Sequence, residues 1–317
     1  MGPRFVGKII SPFLYMVLWI LGWLYYLQPR LVRSFMGWML GMVLRSLSMR
    51  SEVIRENLSY AYPHHSASEA TKALFNQAYI HLGNLVLEIF LLFGPMKFFV
   101  RKHCRIKGLD YWRDAKSKGR GVIFLSSHVG NWEIMAAAGA LLGGVDILLV
   151  TKRLKPEWFH KIVEKSRTGC GVSGTYEPRT YRDVISHLRN NGTVGIVIDQ
   201  YAGPPVGVRV PFFGVPVSTH TIVAALAKRT GALVLPVVSY WDAGGCFIID
   251  MMPPLDWVSS EDRAYEIAAN TAAYAKEIER HIYMYPDQWI WTHKRFKGDL
   301  SPLGKDEWCR GRSRGDG

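Results

Sequence analysis

The sequence is short of cysteine, and the four it has, Cys104, Cys170, Cys246 and Cys309, lie far apart with no C-x-x-C. That spacing excludes a zinc ribbon and a disulfide framework, and it fits a reducing compartment. No internal repeat is present, so the chain is not a solenoid or propeller. No G-x-S-x-G occurs, and Ser126 and Ser127 lack flanking glycines, which argues against a serine-hydrolase elbow. Acidic residues are sparse: 26 Asp and Glu stand against 39 Lys and Arg, a net charge of +13. Such a surplus favours an anionic partner, whether nucleic acid, an acidic protein or a negative membrane face. No recognised nucleic-acid module accompanies the charge, so no nucleic acid is expected. Disorder is excluded by 49% hydrophobic and 21% charged residues over 317 positions.

Charge is missing altogether from Ile9 to Leu27, a run of nineteen residues. As a helix it would reach roughly 28 Å, enough for a hydrocarbon core. Trp19, Trp23, Tyr25 and Tyr26 gather toward one end, as an aromatic belt would. A signal peptide is the rival reading, since Arg4 and Lys8 precede the run, but Gln28-Pro29-Arg30 follows in place of a small-residue cleavage site. A buried core helix is the other. The reading favoured is a membrane anchor. Phe35 to Leu44 is too short to span and suits a helix lying in the interface, with Arg30, Arg33, Arg45 and Arg50 reaching lipid phosphates. These arginines and Arg55 follow the first span while only Arg4 and Lys8 precede it, which places the body of the chain in the cytoplasm. The expected organisation is membrane-associated helices over residues 1–50, a folded domain over 51–300 and a basic, polar tail over 301–317.

The domain reads as α/β. Ser66 or Ser68 caps a helix whose apolar period runs through Leu74, Ala78, Leu85 and Ile89. The apolar runs 121–127, 146–150, 193–198, 232–238 and 246–250 predict buried strands. Between them, helices are predicted over 132–142, 156–165, 180–189 and 218–228, and a long one over 261–282 opened by a Ser259–Asp262 capping box. Repeated alternation of strand and helix implies a mostly parallel central sheet flanked by helices.

The candidate site follows the first of these strands, in Ser127-His128-Val-Gly-Asn131-Trp-Glu133. A histidine at a strand C-terminus, before a tight turn and a helix, stands where α/β sheets hold ligands. His128 and Glu133 would diverge by about 140° on one straight helix. With His128 in the turn and Glu133 in the first helical turn they can meet, leaving one ring nitrogen to take a proton. Asn131 is a good N-cap whose amide could also bond a substrate, and the helix N-terminus offers N–H groups to an oxyanion. A structural histidine with a capping asparagine fits the same residues equally well. No second His or Cys cluster lies nearby, so no metal is expected. Lys152, Arg153 and Arg167 follow the second strand and could reach anionic groups or simply form a solvated basic loop. Asp199 ends the third strand on the same sheet edge as His128; a turn residue before Gly203 is the alternative. Trp289 and Trp291 read as core, and His281 and His293 as structural.

HVGNWE resembles the H-x4-D/E motif of glycerolipid acyltransferases, in the form of the bacterial lipid A late acyltransferase family. The resemblance continues through Asn57-Leu58 with Tyr62-Pro63, through Asp199-Gln200-Tyr-Ala-Gly203-Pro204 with Val210-Pro-Phe-Phe-Gly214, and through Tyr285-Pro-Asp-Gln288-Trp289-Ile-Trp291-Thr-His293-Lys294-Arg295-Phe296-Lys297. Four ordered blocks span nearly the whole chain. One departure is Thr151-Lys152-Arg153-Leu-Lys155-Pro156, which lacks the Asn that in the family usually precedes this proline. The resemblance implies transfer of a fatty acyl chain from acyl carrier protein, or from acyl-CoA, to a hydroxyl of a glycolipid at the cytoplasmic face of the bacterial inner membrane. It implies no metal, no cofactor and no covalent acyl-enzyme, with His128 as general base supported by Glu133. Asn131, Lys152, Arg153, Arg167 and Asp199 would bind substrate.

Overall fold

A computed structural model describes residues 3–64, 68–177 and 180–303, with side chains described from residue 12 onward. In chain order the elements are α1 (Pro3–Leu27), α2 (Arg30–Ser46), α3 (Ser51–Ala61), α4 (Glu69–Glu88), α5 (Met96–His103), β1 (Cys104–Lys107), α6 (Leu109–Ser117), β2 (Val122–Ser126), α7 (Trp132–Gly143), β3 (Ile147–Val150), α8 (Glu157–Gly169), β4 (Ser173–Thr175), α9 (Thr180–Arg189), β5 (Thr193–Val197), β6 (Gly207–Phe212), β7 (Val215–His220), α10 (Ile222–Thr230), β8 (Leu233–Trp241), β9 (Phe247–Met251) and α11 (Arg263–Met284). Seven strands form one sheet in the order β1-β9-β8-β2-β5-β3-β4. Five of them run parallel; β8 and β9 pair antiparallel, so β9 and its parallel neighbour β1 run the other way.

The sheet is covered on both faces, as its continuous apolar strands require. Along β2, Ile123 and Leu125 enter the core built with α9, α10 and α11, while Val122 and Phe124 enter the core built with α5, α6, α7 and α8. Caps define the helices that matter most. Ser68 accepts from the Thr71 N–H at 3.2 Å and opens α4, whereas Ser66 lies outside the described residues. Gly144 closes α7 at φ 69°, a conformation that favours glycine. Asp262 caps α11 directly, accepting from the Ala264 N–H at 2.8 Å, so the expected Ser259–Asp262 box is replaced by an aspartate cap.

The helix expected over 218–228 begins only at Ile222. Residues 207–220 form the β6–β7 hairpin instead, with Phe212 opposite Val215. Its two-residue loop, Phe213-Gly214, has positive φ at both positions (51° and 74°), the geometry that matches strand twist. The polar tail from 304 onward lies outside the described residues.

The N-terminal expectation is corrected in part. Among the described residues no single helix is long and apolar enough to cross a membrane; the apolar part of α1 covers Pro12–Leu27. By length and composition alone the bent pair 69–93 and 96–103, at 120°, could. What α1 and α2 do present is an exposed apolar surface that includes Phe13, Leu24, Leu27, Leu31, Phe35 and Trp38. Arg33 does not reach outward with its neighbours. It is only 7% exposed, with its guanidinium carbon 5.1 Å from the Phe99 ring centroid. Helix α2 crosses α4 at very short range because Gly37 and Gly41 face Gly83; a Cβ on Gly83 would lie 2.3 Å from the Gly37 carbonyl oxygen.

Candidate active site

The register of β2 and β5 builds the centre of the site. Ser126 stands opposite Val197, so two residues further along each strand His128 meets Asp199. The His128 Nδ1 lies 2.7 Å from Asp199 Oδ1. The second oxygen, Oδ2, accepts from the His128 backbone N–H at 2.8 Å and from the Trp289 indole N–H at 2.8 Å. Both side chains are buried, and Nε2 is the ring nitrogen left for chemistry. This pairing fixes the tautomer: the neutral imidazole carries its proton on Nδ1 and offers a lone pair at Nε2.

Electrostatics reinforce the geometry. Burial works against a charged imidazole, yet the Asp199 charge and hydrogen bond outweigh it, and the His128 pKa is raised above its ordinary value. Burial likewise opposes the Asp199 carboxylate, but His128 and the indole and backbone N–H donors hold it well below the usual carboxylate range. Asp199 is therefore ionised while His128 stays basic enough to accept a proton near neutrality.

Glu133 does not hold His128, contrary to the sequence expectation. It forms a two-point ion pair with Arg167 of α8, with Arg167 Nε to Oε2 at 2.9 Å. Asn131 caps α7 as expected, its Oδ1 accepting from the N–H groups of Glu133 at 3.0 Å and Ile134 at 3.2 Å. Those two donors are thereby taken and do not serve an oxyanion. The Asn131 amide donates to the buried Glu88 at 2.7 Å and so anchors the turn. Lys152 and Arg153 stand exposed on the loop after β3, whereas Arg167 is buried. No group of three or more His, Cys, Asp or Glu capable of holding a metal occurs among the described residues.

A cavity of about 150 Å³ runs between the sheet and α7, directly beneath His128. Its walls follow from two periodicities. Phe124, Ser126 and His128 share one face of the β2 line, and Ile147, Leu149 and Thr151 share one face of β3; Met135, Ala136 and Gly139 supply a stripe of α7. Arg167 also lines the cavity. The lining is chiefly apolar, with His128 and Arg167 as its charged or titratable members.

The C-terminal segment closes the other side. Trp289 and Trp291 are each 1% exposed, as core residues should be, but Trp289 also donates to Asp199. His293, read as structural, lies with its ring 5.4 Å from that of His128, and Gln200 Nε2 sits 3.0 Å from its Nε2. Burial, then the proximity of His128, lowers its pKa. Arg295 is fully buried and donates to the Ser218 carbonyl at 3.1 Å and the Thr219 hydroxyl at 2.6 Å. The Asn57 amide donates to the carbonyls of Trp291 and His293, each at 2.7 Å. Blocks scattered over residues 57–295 thus converge on one dyad. His281 is buried against Glu277 at 3.2 Å, remote from these contacts, as a structural histidine should be.

Known proteins resemble this chain over most of its length. The profile of the family described as bacterial lipid A biosynthesis acyltransferase matches residues 7–298. The lipid A biosynthesis palmitoleoyltransferase of Escherichia coli K12 is 26% identical over 311 residues, covering 95% of this chain and 97% of that protein. The lipid A biosynthesis lauroyltransferase of the same organism is 25% identical, covering 93% and 95%. The phosphatidylinositol mannoside acyltransferase of Mycobacterium tuberculosis CDC 1551 is 30% identical over 201 residues, covering 62% and 61%.

Proposed function

We propose, since the chain belongs to the bacterial lipid A biosynthesis acyltransferase family, that this O-acyltransferase moves a fatty acyl chain from an acyl carrier protein thioester to a hydroxyl of a lipid A precursor. The observation that carries the reading is the buried His128–Asp199 pair standing over an apolar cavity. In this scheme the acyl chain occupies the cavity and its thioester carbonyl lies at the mouth, beside His128. Nε2 of His128 removes the acceptor hydroxyl proton as the oxygen attacks the carbonyl carbon. Asp199 stabilises the imidazolium so formed. Collapse of the tetrahedral intermediate breaks the C–S bond, and the imidazolium returns the proton to the departing thiolate. Arg167, locked by Glu133 on the cavity wall, supplies positive charge to the developing oxyanion. The exposed Lys152 and Arg153 are left for anionic groups of the acceptor.

The exposed apolar surface of α1 and α2, with the net charge of +13, supports a chain attached to an anionic membrane with its catalytic domain at the cytoplasmic face. The same surplus of positive charge suits an acidic carrier protein as donor.

The 30% identity to a phosphatidylinositol mannoside acyltransferase favours a second acceptor class. The test offers labelled acyl carrier protein, and separately acyl-CoA, to a lipid A precursor, a phosphatidylinositol mannoside and a lysophospholipid in detergent micelles, with His128→Ala alongside. Transfer to the lipid A precursor that falls by orders of magnitude in His128→Ala supports the reading. Transfer to the mannoside alone moves the acceptor, and full activity in a folded His128→Ala protein overturns the mechanism.

A further inference from the structure

A second cavity, of about 390 Å³, shares no lining residue with the acyl cavity. It is bounded by α1, α2, α4, the turn after β8 and residues 287–288. Two buried residues in its lining have a polar atom without a partner. Arg33, 7% exposed, has an unpaired Nη1, and His81, also 7% exposed, has an unpaired Nε2. Arg33 approaches the Phe99 and Tyr25 rings, at 5.1 and 5.9 Å, and forms no ion pair among the described residues, although the Glu88 carboxylate is near enough to favour its charge. A buried guanidinium N–H with no acceptor costs free energy on folding unless something completes it. Burial drives the His81 pKa down to about 4, so the ring is neutral.

The remaining lining says what chemistry would complete it. Arg30 and Ser34 stand exposed at the mouth on the same helix as Arg33. Asp242 and Asp287 come from the opposite elements, the β8–β9 turn and the 286–288 turn. Glu88 is already satisfied, accepting from Asn131 at 2.7 Å and Trp241 at 3.1 Å, and burial raises its pKa to about 7. The cavity therefore presents cations on one side and carboxylates on another. The helices that supply Tyr25, Arg30, Arg33 and Ser34 also carry Leu27, Leu31 and Phe35, which are 67%, 83% and 57% exposed. The volume is many times the roughly 30 Å³ share of one water.

We propose that this cavity binds a phosphate group bearing a nearby amine, such as the headgroup of an aminophospholipid, with the Arg33 and Arg30 guanidinium groups on the phosphate and Asp242 and Asp287 on the ammonium. The site is separate from the acyl cavity and does not depend on which acceptor is acylated. Its lipid source alone rests on the membrane attachment proposed above. Through Glu88 it touches Asn131, the cap of α7, so occupancy bears on the turn that carries His128.

Binding to the full chain in uncharged detergent would be followed by calorimetry with dihexanoyl-phosphatidylethanolamine, inorganic phosphate and dihexanoylglycerol, with no acyl donor present. The expected result is one site for the phosphatidylethanolamine, weakened at least tenfold in Arg33→Gln and in Ser34→Trp, and none for dihexanoylglycerol. Ser34→Trp plugs an exposed mouth, so it serves even if Arg33→Gln fails to fold. Equal binding of inorganic phosphate, lost in the same variants, overturns the ammonium contact of Asp242 and Asp287 and leaves a site for a simple anion. No binding to the wild type, equal binding of dihexanoylglycerol, or unchanged affinity in folded variants overturns the proposal and leaves a water-bridged polar cavity. Sedimentation with vesicles of phosphatidylglycerol and phosphatidylethanolamine reports membrane attachment separately.

Discussion

Replacing Glu133 by glutamine removes the charge opposite Arg167 and leaves the His128–Asp199 contact in place. The loss of stability should fall at the lower end of the roughly 3–5 kcal/mol seen when one partner of a buried pair is removed, because glutamine still accepts a hydrogen bond. Turnover should drop as Arg167 loses its fixed position, yet the acid limb of the pH–rate profile should not move, since Glu133 does not touch the imidazole. Denaturant unfolding and a pH series on the same variant check both statements. A limb displaced in Glu133→Gln would return the histidine partner to Glu133. A second residue-scale prediction concerns Gly139. Its nearest neighbour to an added Cβ is 4.0 Å away, and it lines the cavity beneath His128 proposed for the acyl chain. Gly139→Leu should therefore project into empty space, keep the fold and shift preference to shorter acyl donors, read by competition between acyl carrier proteins of different chain length.

At the scale of elements, the close crossing of α2 and α4 makes a sharp demand. Gly83→Val would set a side chain against the Gly37 carbonyl and the Gly41 backbone and should destabilise the fold by at least the roughly 1–3 kcal/mol typical of overpacking, seen as a lowered Tm. Elements whose signals are local were legible in the sequence. The apolar run before His128, the Asn131 cap and the Gly144 stop are complete within twenty-odd residues and placed β2 and α7 closely. The β6–β7 hairpin was not, because the stretch 218–228 contains a good helix, and only pairing across the Phe213-Gly214 turn commits residues 215–220 to a strand. The dyad partner failed for a related reason. Glu133 is five residues from His128, and a local reading pairs them; Asp199 is set beside His128 by interstrand register, which is a tertiary property. His293 and Trp289 were legible only as members of a motif, since nothing in their own neighbourhood of the chain points at His128. The inward turn of Arg33 was hidden because its neighbours Arg30 and Arg45 are exposed on the same helix.

For the whole molecule, charge and exposed apolar surface are expected to act together. The double substitution Leu31→Asp and Phe35→Asp changes two exposed positions of α2 and should release the protein from anionic vesicles without lowering Tm, as sedimentation would show. Attachment of the wild type should weaken at high salt but not vanish, because the apolar share is not screened. The central claim, that His128 is the base and Asp199 its partner, is tested most directly by the pH dependence of kcat/KM in the wild type and in Asp199→Asn. A base must be neutral, so the rate rises with pH through the pKa of His128. In the wild type, where Asp199 raises that pKa, the acid limb should lie above the ordinary imidazole value of 6.5. In Asp199→Asn the charge that favours imidazolium is gone while burial remains, so the limb should move to lower pH, with the plateau reduced by roughly 10²–10⁴-fold. A folded Asp199→Asn enzyme with the wild-type limb and plateau would contradict the account.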